Sequence, residues 1–138
     1  MYIDRKLDIA SVVAKKSCFL FGPRQCGKSS LVRQTLPDAH ILDLLSGDTY
    51  TRLSRNPGYI EEICRDSRPI VIDEIQKLPI LLDEVHRLIE TKGMKFLLTG
   101  SSARKLRKSG VNLLGGRARV RHLHPFSAAE LGNKFNLD

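Results

Sequence analysis

The chain has 138 residues, 41% of them hydrophobic and 28% charged; that length and balance suit one globular domain burying roughly two-thirds of its unfolded surface and exclude a disordered or fibrous chain. No apolar run approaches the roughly 20 residues that span a bilayer, and Tyr2-Ile3-Asp4-Arg5-Lys6 carries charge where a signal peptide is apolar, so a cytoplasmic protein without membrane partners is expected. The net charge of +8 is uneven: residues 1–90 hold 13 basic and 13 acidic side chains, whereas residues 91–129 hold nine basic and none acidic.

In chain order, Ser17-Cys18-Phe19-Leu20-Phe21 is a short apolar run suited to a buried strand. It leads into Gly22-Pro23-Arg24-Gln25-Cys26-Gly27-Lys28-Ser29, an unbroken G-x-x-x-x-G-K-[ST] phosphate-binding loop. Glycines let the backbone curl until successive N–H groups converge on phosphate oxygens. Lys28 adds a cation for the β- and γ-phosphates, and the Ser29 hydroxyl is a ligand type for Mg²⁺. A helix is expected from Lys28, with Leu31, Val32, Thr35 and Leu36 at helical spacing until Pro37. Its positive dipole end would face the same anion. Gly22, Pro23, Arg24, Gln25, Cys26, Gly27, Lys28, Ser29 and Ser30 are therefore the candidate nucleotide contacts. Cys18, Cys26 and Cys64 are odd in number and share no metal-type spacing, as expected in a reducing compartment.

Ala39-His40-Ile41-Leu42-Asp43-Leu44 predicts a second strand, with a helix after Gly47 and a break at Asn56-Pro57-Gly58. Tyr59, Ile60, Ile63 and Cys64 form a further helical face. Pro69-Ile70-Val71-Ile72-Asp73-Glu74 is an apolar strand ending in two carboxylates. Leu81, Val85, Leu88 and Ile89 mark an amphipathic helix closed by Lys92-Gly93. Lys95 to Thr99 and Arg117 to Leu123 are the fourth and fifth strands. Near-continuous apolar strands alternating with helices imply an α/β fold with a parallel sheet covered on both faces. Ligands in such sheets bind at the carboxyl ends of the strands. The phosphate loop, Asp73-Glu74 and Thr99-Gly100-Ser101-Ser102 all fall there.

Asp73 at the end of an apolar strand needs a compensating partner, and a hydrated Mg²⁺ beside Ser29 supplies one. Glu74 is then placed to orient and polarise the water attacking a γ-phosphate, which favours hydrolysis over transfer to a substrate hydroxyl. Thr99 and Ser101 stand where a side chain can sense that phosphate, or else cap the next helix. Arg117, after Gly115-Gly116, can reach a phosphate in a neighbouring subunit as a transition-state cation, implying a homo-oligomer or a partner protein. Arg104, Lys105, Arg107, Lys108, Arg117, Arg119 and Arg121 can serve a nucleic-acid backbone, but no aromatic residue interleaves them before Phe126. A solvated face or a surface for an acidic partner is the simpler reading. No Asn-Lys-x-Asp guanine-reading motif is present, which favours ATP.

The chain resembles the prokaryotic AAA-superfamily ATP-binding proteins whose phosphate loop reads Gly-Pro-Arg-Gln-x-Gly-Lys. The resemblance runs through Tyr2 to Leu7, Gly22 to Ser29, Leu42 to Leu45, Asp73-Glu74-Ile75-Gln76-Lys77-Leu78-Pro79, Thr99 to Arg104, Gly116-Arg117-Ala118 and Pro125-Phe126-Ser127. It implies a P-loop NTPase three-layer sandwich over residues 1–138, a five-stranded parallel sheet of order 5-1-4-3-2, Mg·ATP as ligand, and Walker-type roles for Lys28, Ser29, Asp73 and Glu74. Members of that family continue past the Pro-Phe-Ser-x-x-Glu-Leu segment into a lid and a carboxyl-terminal domain of unknown function. A chain ending at Asp138 is therefore expected to be the ATPase core alone, weakly active or merely nucleotide-holding unless a partner supplies the rest.

Overall fold

The computed structural model describes residues 9–22, 28–66, 68–101, 104, 106 and 118–122, with Ser29 described by its backbone alone. Helix α1 (Ile9–Lys15) precedes strand β1 (Ser17–Phe21), and α2 (Lys28–Thr35) leads to β2 (His40–Asp43). Helices α3 (Gly47–Arg55) and α4 (Tyr59–Ile63) follow, then β3 (Ile70–Asp73), a 3-10 turn (Ile75–Lys77), α5 (Leu81–Lys92), β4 (Phe96–Gly100) and β5 (Ala118–His122). All strand pairings are parallel, in the order β2-β3-β4-β1-β5. Read from the other edge, this is the expected 5-1-4-3-2.

Strand alternation divides the core into two layers. Phe19, Phe21, Ile70, Ile72, Phe96 and Leu98 face one side, where Leu53, Ile60, Ile75, Leu81, Val85 and Leu88 cover them. Cys18, Leu20, Val71 and Leu97 face the other, against Ile9 and Val13 of α1 and Leu31, Val32 and Leu36 around α2. The five residues of β1 and of β4 are all buried, which is why these central strands read as unbroken apolar runs. The result is a three-layer α/β/α arrangement with the P-loop NTPase strand order.

The strands keep their expected positions: β1 as read, β2 and β3 one residue shorter at each end, β4 one residue further along, and β5 within the expected range over the described residues. Helix α1 stands outside the elements read from the sequence; Ile9 and Val13, four residues apart, are buried in the core, with Ala10 and Val12 partly buried against it. Gly93 ends α5 in the left-handed conformation (φ 65°), with its N–H on the carbonyls of Leu88 and Ile89, as Lys92-Gly93 foretold. Among the described residues no helix is long and apolar enough to cross a membrane.

Candidate nucleotide-binding site

Strands β3, β4 and β1 lie side by side, so their carboxyl ends form one edge. Leu20 pairs with Thr99, Phe21 with Gly100, and Ile72 with Leu98. Alternation puts Asp73 and Thr99 on the face of Val71 and Leu97, the same face that α2 covers. Thr99 is fully buried inside β4. Its hydroxyl donates to Asp73 Oδ1 and accepts the backbone N–H of Glu74 at 3.1 Å. Thr99 therefore sits between the strand ends, its hydroxyl committed to both acidic residues.

Glu74 leaves β3 with φ 63° and ψ 51°, the one non-glycine residue at positive φ among the described residues. A left-handed residue with a Cβ costs about 1–2 kcal/mol. Here it turns the chain sharply from the strand into the 3-10 turn and carries the Glu74 side chain inward, to 6% exposure. Gln76 Nε2 donates to Glu74 Oε1 at 2.6 Å. Gln76 was not a candidate in the sequence; the available signal was a polar side chain between Ile75 and Leu78, both of which are buried.

Lys28 opens α2 and is 6% exposed, its ammonium donating to the carbonyl of Gly22. Gly22 in turn donates its N–H to the Gly100 carbonyl at 3.0 Å, tying the start of the phosphate loop to the end of β4. The helix has no acid in its first turn, so its positive end and the Lys28 ammonium bring like charge to one place, a setting that suits a phosphate. Ser30 is exposed on the first turn of α2, and Ser101 is half-buried just past β4. Pro23, Arg24, Gln25, Cys26 and Gly27, together with Ser102 and Arg117, lie outside the described residues.

The half-exposed Asp73 carboxylate is a hard oxygen donor at the same edge as Lys28. Among the described residues no three His, Cys, Asp or Glu side chains cluster as a metal cage. Mg²⁺ needs none: it is commonly held by one or two protein oxygens plus phosphates and water, and the residues here fit that habit. A surface groove of about 740 Å³, lined in part by Arg65, Arg68, Lys92 and Lys95, opens instead at the amino-terminal end of the sheet. Acidic neighbours neutralise much of it: Asp66 pairs with Arg68, and Glu61 with Lys92.

No curated protein matches the chain. A chain in the structure of Drosophila ORC bound to DNA is similar at a TM-score of 0.48 and 9% identity, over 96% of this chain. This chain spans 31% of that one. The model of a family described as AAA domain matches residues 14–132, nearly the full length. The chain belongs to the AAA domain family of nucleotide-binding P-loop modules.

Proposed function

We propose that the chain binds Mg·ATP at the loop between β1 and α2 and hydrolyses the β–γ phosphoanhydride bond with a water oriented by Glu74. The observation that carries this reading is the convergence of Lys28, Asp73, Glu74 and Thr99 on three adjacent strand ends. Lys28 and the backbone N–H groups at the start of α2 bind the phosphates. Asp73 and Ser29 hold Mg²⁺, which when bound supplies neutralisation of phosphate charge. Thr99 fixes the Asp73 carboxylate and the Glu74 backbone in mutual register. Glu74 takes a proton from water as the water oxygen bonds to the γ-phosphorus. The bond to the bridging oxygen breaks, ADP leaves with that electron pair, and the proton returns from Glu74 to phosphate. Arg117 from a neighbouring copy stabilises the charge that develops on the transferring group.

The test is Mg²⁺-dependent ATP hydrolysis measured beside equilibrium ATP binding for the unaltered chain, Lys28→Ala and Glu74→Gln. The reading expects binding and turnover in the unaltered chain, neither in Lys28→Ala, and binding without turnover in Glu74→Gln. Turnover that survives Glu74→Gln would falsify the role of Glu74. Binding without any turnover in the unaltered chain would leave a nucleotide-holding module.

A further inference from the structure

Gln76 is a partly buried polar side chain at this edge with no part in the proposed hydrolysis, and the two ends of its amide have different surroundings. Nε2 donates to Glu74 Oε1 at 2.6 Å. Oε1 is buried and, among the described residues, has no hydrogen-bond partner. It rests against Gly100, where a Cβ would stand 2.7 Å from it and 3.4 Å from the Phe21 ring. The assignment of the two ends follows from charge, because a reversed amide would set its oxygen against a carboxylate oxygen.

We propose that Gln76 is a positioning residue for Glu74, seated in the notch that the missing side chain of Gly100 leaves. The inference rests on the reading of Glu74 as the residue that orients the attacking water. A glutamate side chain has several rotatable bonds, so a left-handed backbone aims only its first atoms. The amide of Gln76 fixes the far end. A neutral donor does so without adding a second cation to the site. The orphaned Gln76 Oε1 points the same way. Buried polar atoms without partners are rare in folded proteins, and an apolar side chain would fill this notch without one. What an apolar side chain could not do is hold Glu74.

The experiment compares single-turnover ATP hydrolysis and MgATP affinity in the unaltered chain, Gln76→Ala, Gly100→Ala and the double variant, each checked for folding by thermal melting. Gly100→Ala displaces the amide while leaving both Glu74 and Gln76 in the sequence. The expected result is a rate lower by about 10–100-fold in each single variant, the scale set by misplacing a catalytic group. MgATP affinity should stay unchanged, and the double variant should be no slower than Gln76→Ala alone. A Gln76→Ala rate equal to or above that of the unaltered chain overturns the proposal, as does affinity falling in step with rate or an additive loss in the double variant. Loss of turnover in Glu74→Gln with retention in Gln76→Ala removes this inference alone. No turnover in the unaltered chain removes the reading of Glu74 and this inference with it.

Discussion

The Thr99 hydroxyl is the joint between Asp73 and Glu74: its proton goes to Asp73 Oδ1, and its oxygen accepts the Glu74 N–H at 3.1 Å. One fully buried side chain on β4 thus sets the positions of two acidic residues at the end of β3. A hydroxyl can donate once and accept in the same geometry, which neither a methyl nor an amide of this size does.

Thr99→Val keeps the shape and removes the joint. It leaves a buried N–H and a carboxylate oxygen each short of a partner, so unfolding free energy should drop by about 1–3 kcal/mol. Thr99→Ser retains the hydroxyl and should lose less, chiefly the contacts of one methyl group. Urea unfolding of the two variants checks the order. A Val variant as stable as the Ser variant would show that the bridge contributes little to the fold.

Lys28 is a buried side chain at a helix amino terminus, its ammonium donating to the Gly22 carbonyl. Lys28→Met should cancel stabilisation by MgATP. A ligand at about 100 times its dissociation constant adds about 2.7 kcal/mol to the unaltered chain. Thermal melts with and without MgATP measure that response in both proteins. A Met variant that still responds to MgATP as the unaltered chain does contradicts this account of the site.

The strands were legible because those of a sheet covered on both faces must be apolar throughout, as Cys18 to Phe21 and Phe96 to Leu98 are. The motif read as a phosphate loop stands out in the sequence because glycine and lysine at fixed spacing are what a phosphate ligand would require. Helix α1 was not legible, since a seven-residue segment with two fully buried side chains carries too little periodicity to stand out. Nor was the left-handed Glu74. Positive φ is usually announced by glycine, and here it falls on a residue with a Cβ at the end of β3. The contact between Gln76 and Gly100 joins residues 24 positions apart in the chain, and only the folded strand order brings them together.

Asp66 links the chain before β3 to the start of β2, where His40 Nε2 lies 2.9 Å from its carboxylate. That hydrogen bond first, and the backbone N–H of Arg68 second, hold the Asp66 carboxyl down at about 2, from an ordinary 3.8. A depressed folded-state value means that the unfolded chain binds the proton first as pH falls. The stabilisation is thus present above the ordinary value and is lost as pH descends toward about 2. Urea midpoints of the unaltered chain should fall across this window, with a shallower fall in Asp66→Asn. Because Asp66 is exposed, added salt should shrink the difference. Parallel slopes in the two proteins would remove Asp66 from the acid response.

The strain at Glu74 can be measured by the sign of a comparison between two inactive variants. At ordinary positions alanine is more stable than glycine, because glycine leaves the unfolded chain more conformational freedom. At φ 63° the order should reverse. Glu74→Ala keeps a Cβ in the left-handed region, and Glu74→Gly removes it; both delete the carboxylate and its hydrogen bond from Gln76. Glycine should therefore exceed alanine in unfolding free energy by about 1 kcal/mol. Neither variant should turn over ATP if Glu74 orients the water. A glycine variant less stable than the alanine variant would mean that the chain at residue 74 relaxes out of the left-handed region once the glutamate is gone. The turn would then be held by the Glu74 side chain and its contact with Gln76, instead of by the strand end around it.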